Sequence, residues 1–201
     1  MVTIIDYDSG NLASLVQGLK KAGIEAVVSS DEATIAKSDA LILPGVGAFG
    51  DAMEKLKATG LIPSINKHVE TGKPLVGICL GMQLLYERSF EYGEAKGLGY
   101  LKGDVKKIET RQPVPHMGWN ELKLRDKENP LFKYLKEPAF VYFVHSYMVP
   151  DDPEVITATT DYEAIIPAIV QKDNILAMQF HPEKSAEDGQ ALLRALSEMI
   201  L

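Results

Sequence analysis

Four short apolar runs, each separated from the next by residues suited to turns and helices, set the tightest limit on what this chain can fold into. They are Val2-Thr3-Ile4-Ile5, residues 25–28, Ala40-Leu41-Ile42-Leu43 and Leu75-Val76-Gly77-Ile78. Between the first two, residues 11–21 carry Leu12, Leu15, Val16 and Leu19 at helical spacing, and Gly23 ends the helix. Further helices are expected near residues 51–58 and 62–71, and Met82 to Tyr86 opens another. A strand that is apolar without alternation must be covered on both faces. Continuous apolar strands alternating with helices therefore predict a parallel sheet with helices on both sides, an α/β fold.

The second half reads differently. Segments rich in β-formers lie at residues 105–108, 121–124, 140–145, 155–160, 165–171 and 175–179, broken by turns such as Asp151-Asp152-Pro153 and Lys172-Asp173-Asn174. They predict antiparallel strands and hairpins added to the parallel sheet. A closing helix is expected over residues 187–200, with Leu192, Leu193, Leu196 and Ile200 on one face. No repeat, low-complexity tract or linker interrupts the 201 residues, so one domain over 1–201 is expected.

Composition narrows the function classes. At 46% hydrophobic residues the chain is too apolar for disorder. A net charge of −7 argues against nucleic acid as a partner. No apolar run approaches the ~20 residues of a membrane span. The start, Met1 to Asp6, lacks the basic and long apolar regions of a signal peptide, so a cytoplasmic protein is expected. One cysteine excludes an intramolecular disulfide and a Cys-rich zinc site.

That cysteine lies in Gly77-Ile78-Cys79-Leu80-Gly81, a G-x-C-x-G pattern between a strand and a helix. This is a nucleophile elbow with sulfur in place of oxygen. A sharp turn strains the backbone at the nucleophile, flanking glycines remove Cβ clashes, and the helix N-terminus favours the thiolate. The next amide, of Leu80, can donate to an oxyanion. The plainer alternative is a buried cysteine that happens to sit near glycines. A nucleophilic cysteine needs a base, and the base an orienting group. Of four histidines, His68 lies in a charged helix and reads as surface decoration, and His116, after Val114-Pro115, reads as a loop residue. His145 ends the apolar run Phe140-Val141-Tyr142-Phe143-Val144, as a structural or pocket-lining residue. His181 stands in His181-Pro182-Glu183, where Glu183 can reach the imidazole and fix its tautomer. A triad of Cys79, His181 and Glu183 follows. No histidine pair has metal-ligand spacing, so no metal is expected. Pro44-Gly45-Val46-Gly47 has the wrong spacing for a dinucleotide fingerprint; its amides can instead complete an oxyanion hole opposite Leu80.

Together the elbow, the distant H-P-E turn and the PGVG loop resemble a class I (triad) glutamine amidotransferase domain of flavodoxin-like fold. Residues 42–53, Gly77 to Leu84, Pro115-His116-Met117-Gly118-Trp119-Asn120, residues 142–147 and Gln179 to Ser185 are similar to the glutaminase subunits of imidazole glycerol phosphate synthases. The resemblance spans nearly the whole chain and implies hydrolysis of glutamine to glutamate and ammonia without a cofactor. It makes Cys79 the nucleophile that forms a glutamyl thioester, His181 the proton carrier and Glu183 its orienter. The Leu80 amide with Val46 and Gly47 would hold the oxyanion. Gln83, Ser146 and Tyr147 would hold the amino-acid end of glutamine. It also implies a heterodimer with a (β/α)8-barrel cyclase subunit that takes the ammonia through an interior tunnel. Asn11, Met117, Trp119 and Lys184 are then interface candidates. Trp119 has a plainer alternative, packing against the sheet. Two positions depart from the family pattern: Asp8 and Ala177 stand where glycine is usual. The rival readings are another elbow-cysteine hydrolase, an amidotransferase serving another synthase, and a non-catalytic subunit.

Overall fold

The computed structural model describes residues 1–10 and 12–201, so the interface candidate Asn11 lies outside the described residues. The four apolar runs become β1 (Val2–Ile5), β2 (Ala26–Ser29), β3 (Ala40–Leu43) and β4 (Leu75–Ile78), side by side in the order β2-β1-β3-β4. All three pairings are parallel. β1, β3 and β4 are buried along their length, as continuous apolar runs require. The edge strand β2 is not: Val27 and Val28 are exposed.

Between these strands lie α1 (Ala13–Lys21), α2 (Glu32–Lys37), α3 (Phe49–Ala58) and α4 (Ile62–Glu70). α2 has no counterpart among the expected helices. It is one and a half turns long, and its start is fixed by the Asp31 carboxylate, which accepts from Thr34 N at 2.8 Å. Successive strand residues face opposite sides of the sheet, and the core divides accordingly. Ile4, Ile42 and Val76 pack with Leu15 and Leu19 of α1. Ile5, Leu41, Leu43 and Leu75 pack with Phe49, Met53 and Leu56 of α3 and Ile65 of α4. Each fully buried aliphatic contributes about 2 kcal/mol of transfer free energy.

After β4 come α5 (Leu80–Leu84) and β5 (Tyr86–Ser89). The helix expected to open at Met82 starts two residues earlier and stops before Tyr86, which is buried and opens a strand. β6 (Ala95–Lys96), β7 (Leu101–Lys107), β8 (His116–Glu121), β9 (Lys123–Leu124), β10 (Phe140–His145), β11 (Tyr147–Met148), β12 (Ile156–Asp161), β13 (Ile165–Lys172) and β14 (Ile175–Met178) follow, then α6 (Ala186–Ile200). The main sheet of eight described strands continues β4-β14-β13-β12-β9. β13 and β14 form a hairpin around Asp173, so β14 runs against β13 and therefore along β4. The expected antiparallel strands and hairpins are found at β13, β12 and β9, and β14 joins them through its hairpin with β13 while running parallel to β4. Residues 116–121 are a strand rather than a loop, paired antiparallel with β10 in a separate ribbon. The strand expected at 121–124 is divided between the end of β8 and β9. β11, β7, β5 and β6 form a small third sheet, with β5 parallel to β7. α6 closes the α1 side with Leu192, Leu193 and Leu196 buried.

Candidate active site

Cys79 occupies the turn between β4 and α5 with φ 55° and ψ −116°. A positive φ at a residue with a Cβ is strained and must be held by its surroundings. Cys79 N donates to Met178 O at 2.8 Å, tying the elbow to the end of β14. The two motif glycines supply room rather than unusual backbone angles. A Cβ on Gly77 would lie 2.9 Å from Met82 Cα, and one on Gly81 would lie 1.9 Å from Leu43 O. The Cys79 side chain is almost covered, 6% exposed, with Sγ 4.0 Å from Val144 O.

His181 leaves the end of β14 and starts a single 3-10 turn, Pro182–Lys184. Its backbone is clamped to β10: His181 N donates to Tyr142 O at 3.1 Å, and Ser185 Oγ donates to His181 O at 2.6 Å while accepting from Tyr142 N at 2.9 Å. Nδ1 meets Glu183 Oε1 at 2.9 Å, which leaves the other ring nitrogen available to Cys79, whose side chain also raises the His181 pKa. Gly18 of α1 makes this possible from the far side, since a Cβ there would lie 2.7 Å from Glu183 Cβ. The structure thus brings the three expected triad residues together: Cys79 and His181 line one cleft, and Glu183 is hydrogen-bonded to His181.

Burial opposes charge on His181. Its hydrogen bonds with Cys79 and Glu183, and the negative charge of both, outweigh that, and its pKa is raised to about 9. The protonated ring therefore stabilises the fold fully below its ordinary pKa of about 6.5, and the contribution is lost as pH rises through about 9. In a Cys79→Ala variant the burial stays while one hydrogen bond and one charge go, so the His181 pKa is expected to fall. An NMR titration of the imidazole in both proteins measures this, and an unmoved pKa would break the proposed Cys79–His181 link.

Cys79 and His181 open into a cleft of about 380 Å³ lined also by Val46, Gly47, Leu80, Gln83, Ser146 and Tyr147, so all the residues expected at the oxyanion and the glutamine share it. The PGVG loop is seated on the elbow. Tyr7 Oη donates to Pro44 O at 2.6 Å, and a Cβ on Gly45 would lie 2.9 Å from Gly81 N. Gln83 is partly committed elsewhere: its Nε2 donates to Tyr147 O at 3.0 Å and to Gln179 Oε1 at 2.9 Å, leaving its carbonyl oxygen to meet a ligand. Glu91 also lines the cleft, its Oε2 accepting from Phe49 N at 2.8 Å. No sequence signal singles out Glu91, because only the fold carries its loop to the cleft.

Two histidine expectations are corrected. His68 is buried, and its Nε2 donates to Pro74 O at 3.0 Å. Burial holds its pKa below the usual value. His116 is a buried strand residue stacked between Phe143 and Tyr162, at 4.7 and 4.1 Å between ring centres. His145 is buried and lines the cleft, fulfilling both roles left open for it.

Met117 and Trp119 project from β8 and are 61% and 53% exposed, and Trp119 meets Tyr142 only edge-on at 6.2 Å. The cross-strand register sets Val144 beside Met117 and Tyr142 beside Trp119, so the ribbon presents an apolar outer face continuing into the cleft. Lys184, exposed, stands at the rim of the cleft. Of the departures, Asp8 takes φ 62° and is held by Lys55, whose Nζ donates to Asp8 O at 2.9 Å. Ala177 is buried in β14, directly opposite Gly77 in the parallel register with β4.

A strained cysteine elbow facing a histidine–glutamate pair, on this sheet, defines a class of cysteine-dependent amide hydrolases. The sequence matches Glutamine amidotransferase class-I over residues 3–197, and the chain belongs to that family. Among its relatives, the imidazole glycerol phosphate synthase subunit HisH of Oceanobacillus iheyensis is 50% identical over 201 residues, covering 100% of both chains. The subunit of the same name from Lactococcus lactis is 51% identical, covering 99% of this chain and 98% of that one. That from Aquifex aeolicus is 49% identical over 94% and 92%. Two solved structures share the fold: a glutamine amidotransferase at TM-score 0.76 and 24% identity, covering 98% of each chain, and PurLQS from Thermotoga maritima at 0.77 and 19%, covering 100% and 98%.

Proposed function

We propose that this chain is a glutaminase that feeds ammonia to a cyclase subunit producing imidazole glycerol phosphate and aminoimidazole carboxamide ribonucleotide in histidine biosynthesis. The convergence of Cys79 and His181 on one cleft, with Glu183 hydrogen-bonded to His181 Nδ1, carries the proposal. Full-length similarity to subunits of imidazole glycerol phosphate synthase supports it. Cys79 Sγ attacks the side-chain amide carbon of glutamine. The oxyanion is held by the Leu80 amide and the loop at Val46 and Gly47. His181 gives a proton to the leaving nitrogen, and ammonia departs from a glutamyl thioester. His181 then takes a proton from water, the hydroxide cleaves the thioester, and glutamate leaves. Glu183 orients the imidazole throughout and stabilises its protonated form.

The Gln83 carbonyl oxygen and the Glu91 carboxylate offer acceptors for the substrate ammonium, and Ser146 and Tyr147 border the same end. The partner is a (β/α)8-barrel cyclase in a heterodimer, docked on Met117, Trp119 and Lys184. The exposed apolar ribbon beside the cleft supports this, since a patch of that kind marks a protein contact. A sealed route also keeps ammonia from being protonated in bulk water. The chain acts as one domain over residues 1–201, in the cytoplasm. Among the described residues, no helix is long and apolar enough to cross a membrane.

Glutamate release is measured for the chain alone, then with the cyclase subunit and its nucleotide ligand. Activity should rise with both, and no change would count against the coupling. Trp119→Asp places a charge in the apolar contact and should weaken the complex about 30-fold, the effect of a ~2 kcal/mol hot spot. Calorimetry of the two subunits checks it, and an unchanged Kd would remove Trp119 from the interface.

A further inference from the structure

We propose that His116 and His145 form a fixed, uncharged relay that positions the Tyr147 side of the glutamine pocket from the partner-facing strand β8. The inference rests on reading the cleft as a glutamine site. Neither histidine belongs to the triad, yet both are buried and face each other across the ribbon.

The direction of the relay follows from which atoms can donate. His145 Nδ1 lies 2.9 Å from Tyr147 O. A carbonyl only accepts, so Nδ1 carries the proton, and the Nε2 of a neutral ring is an acceptor. His116 Nδ1, 3.0 Å from that Nε2, must then donate, which makes His116 Nε2 an acceptor. Its neighbour is Asn120 Nδ2 at 3.2 Å. The Asn120 amide is oriented independently: its Oδ1 accepts from Glu121 N at 2.8 Å and its Nδ2 also donates to Asp161 O at 2.8 Å. Both ends of the chain, each anchored on backbone, therefore prescribe the same direction. Protonating either ring would set two N–H groups against each other. Burial agrees with this, since it lowers the pKa of each histidine to about 4.

Tyr147 O closes the link to the pocket, because it also accepts from Gln83 Nε2 at 3.0 Å. One carbonyl thus joins the relay to the side chain that faces the substrate. At the other end, His116 and Asn120 stand on the strand whose outward residues are Met117 and Trp119. A partner that shifts β8 must carry this chain, and with it Tyr147. His116 and His145 are positioning residues, acting on glutamine only through Tyr147 and Gln83.

The wild-type chain tests the geometry directly. Nitrogen-15 NMR of labelled histidines should show His116 and His145 both protonated at Nδ1 near neutral pH, whereas a neutral imidazole in water carries its proton mainly on Nε2. An Nε2–H form at either residue overturns the relay. In the complex with the cyclase subunit, His116→Phe keeps the ring stack and removes both hydrogen bonds. Its KM for glutamine should rise about tenfold with kcat within about threefold, as for loss of about one neutral hydrogen bond. His116→Gln retains one donor and one acceptor and should recover most of the loss. An active wild-type complex whose His116→Phe form keeps its KM, or loses kcat alone, overturns the relay. A wild-type complex inert towards glutamine overturns the functional reading instead.

Discussion

Cys79→Ala should lower glutamate release by the complex by about 10⁵-fold or more, while the protein keeps its fold. Removing the nucleophile of a triad costs on the order of 10⁶ in kcat, because the remaining members act only through it. Here no other side chain can substitute. Cys79 is the chain's only cysteine, and the elbow glycines fit the backbone so closely that a neighbouring residue has no room to swing in. The fold should survive because alanine accepts the same backbone strain as cysteine and the lost sulfur is a single buried atom. Circular dichroism and the thermal midpoint verify the fold, and a coupled glutamate assay reads the activity. Activity within tenfold of wild type would remove Cys79 from the chemistry.

Glu183→Gln should cost about 10³- to 10⁴-fold in kcat. In serine triads the equivalent carboxylate-to-amide exchange costs ≈ 10⁴, because it leaves the imidazole in the wrong tautomer. Glu183 is suited to the same dependence. Its Oε1 meets His181 Nδ1 at 2.9 Å and both side chains are nearly covered, so no water can replace the carboxylate. Glutamine offers either an oxygen without charge or an amide that donates towards a ring nitrogen which must itself donate. The variant should also lower the His181 pKa, since one hydrogen bond and one charge that raise it are lost. A loss under tenfold with an unmoved pKa would reduce Glu183 to a structural residue.

The elbow and the H-P-E turn were legible because each is local. Chemistry that depends on Gly77, Cys79 and Gly81, or on two residues separated by one proline, is written in adjacent letters. The parallel core was legible for the same kind of reason: strands buried on both faces admit few polar residues. Strand β8 escaped because it alternates one buried histidine with exposed Met117 and Trp119, a pattern that reads as irregular until β10 is set beside it. His68 looked superficial because its acceptor, Pro74 O, lies beyond the end of its helix. Gly18 and Glu91 carry no local signal, for their importance comes from distant partners: Glu183 fills the place a Gly18 side chain would take, and Phe49 N donates to Glu91.

By itself, the sequence determined the alternation of apolar strands and helices, the strained cysteine turn, and the histidine with its carboxylate two residues on. Periodicity, glycine spacing and short-range reach are properties of a few consecutive residues. Only the tertiary structure decided that β14 lies along β4, bringing His181 to Cys79 across a separation of about a hundred residues. It alone decided that the Gln83 amide nitrogen is taken up by Tyr147 O and Gln179 Oε1, and that two histidines join the outer ribbon to the pocket. Those outcomes depend on which backbone carbonyls lie within hydrogen-bond reach, and that is a property of packing between distant segments.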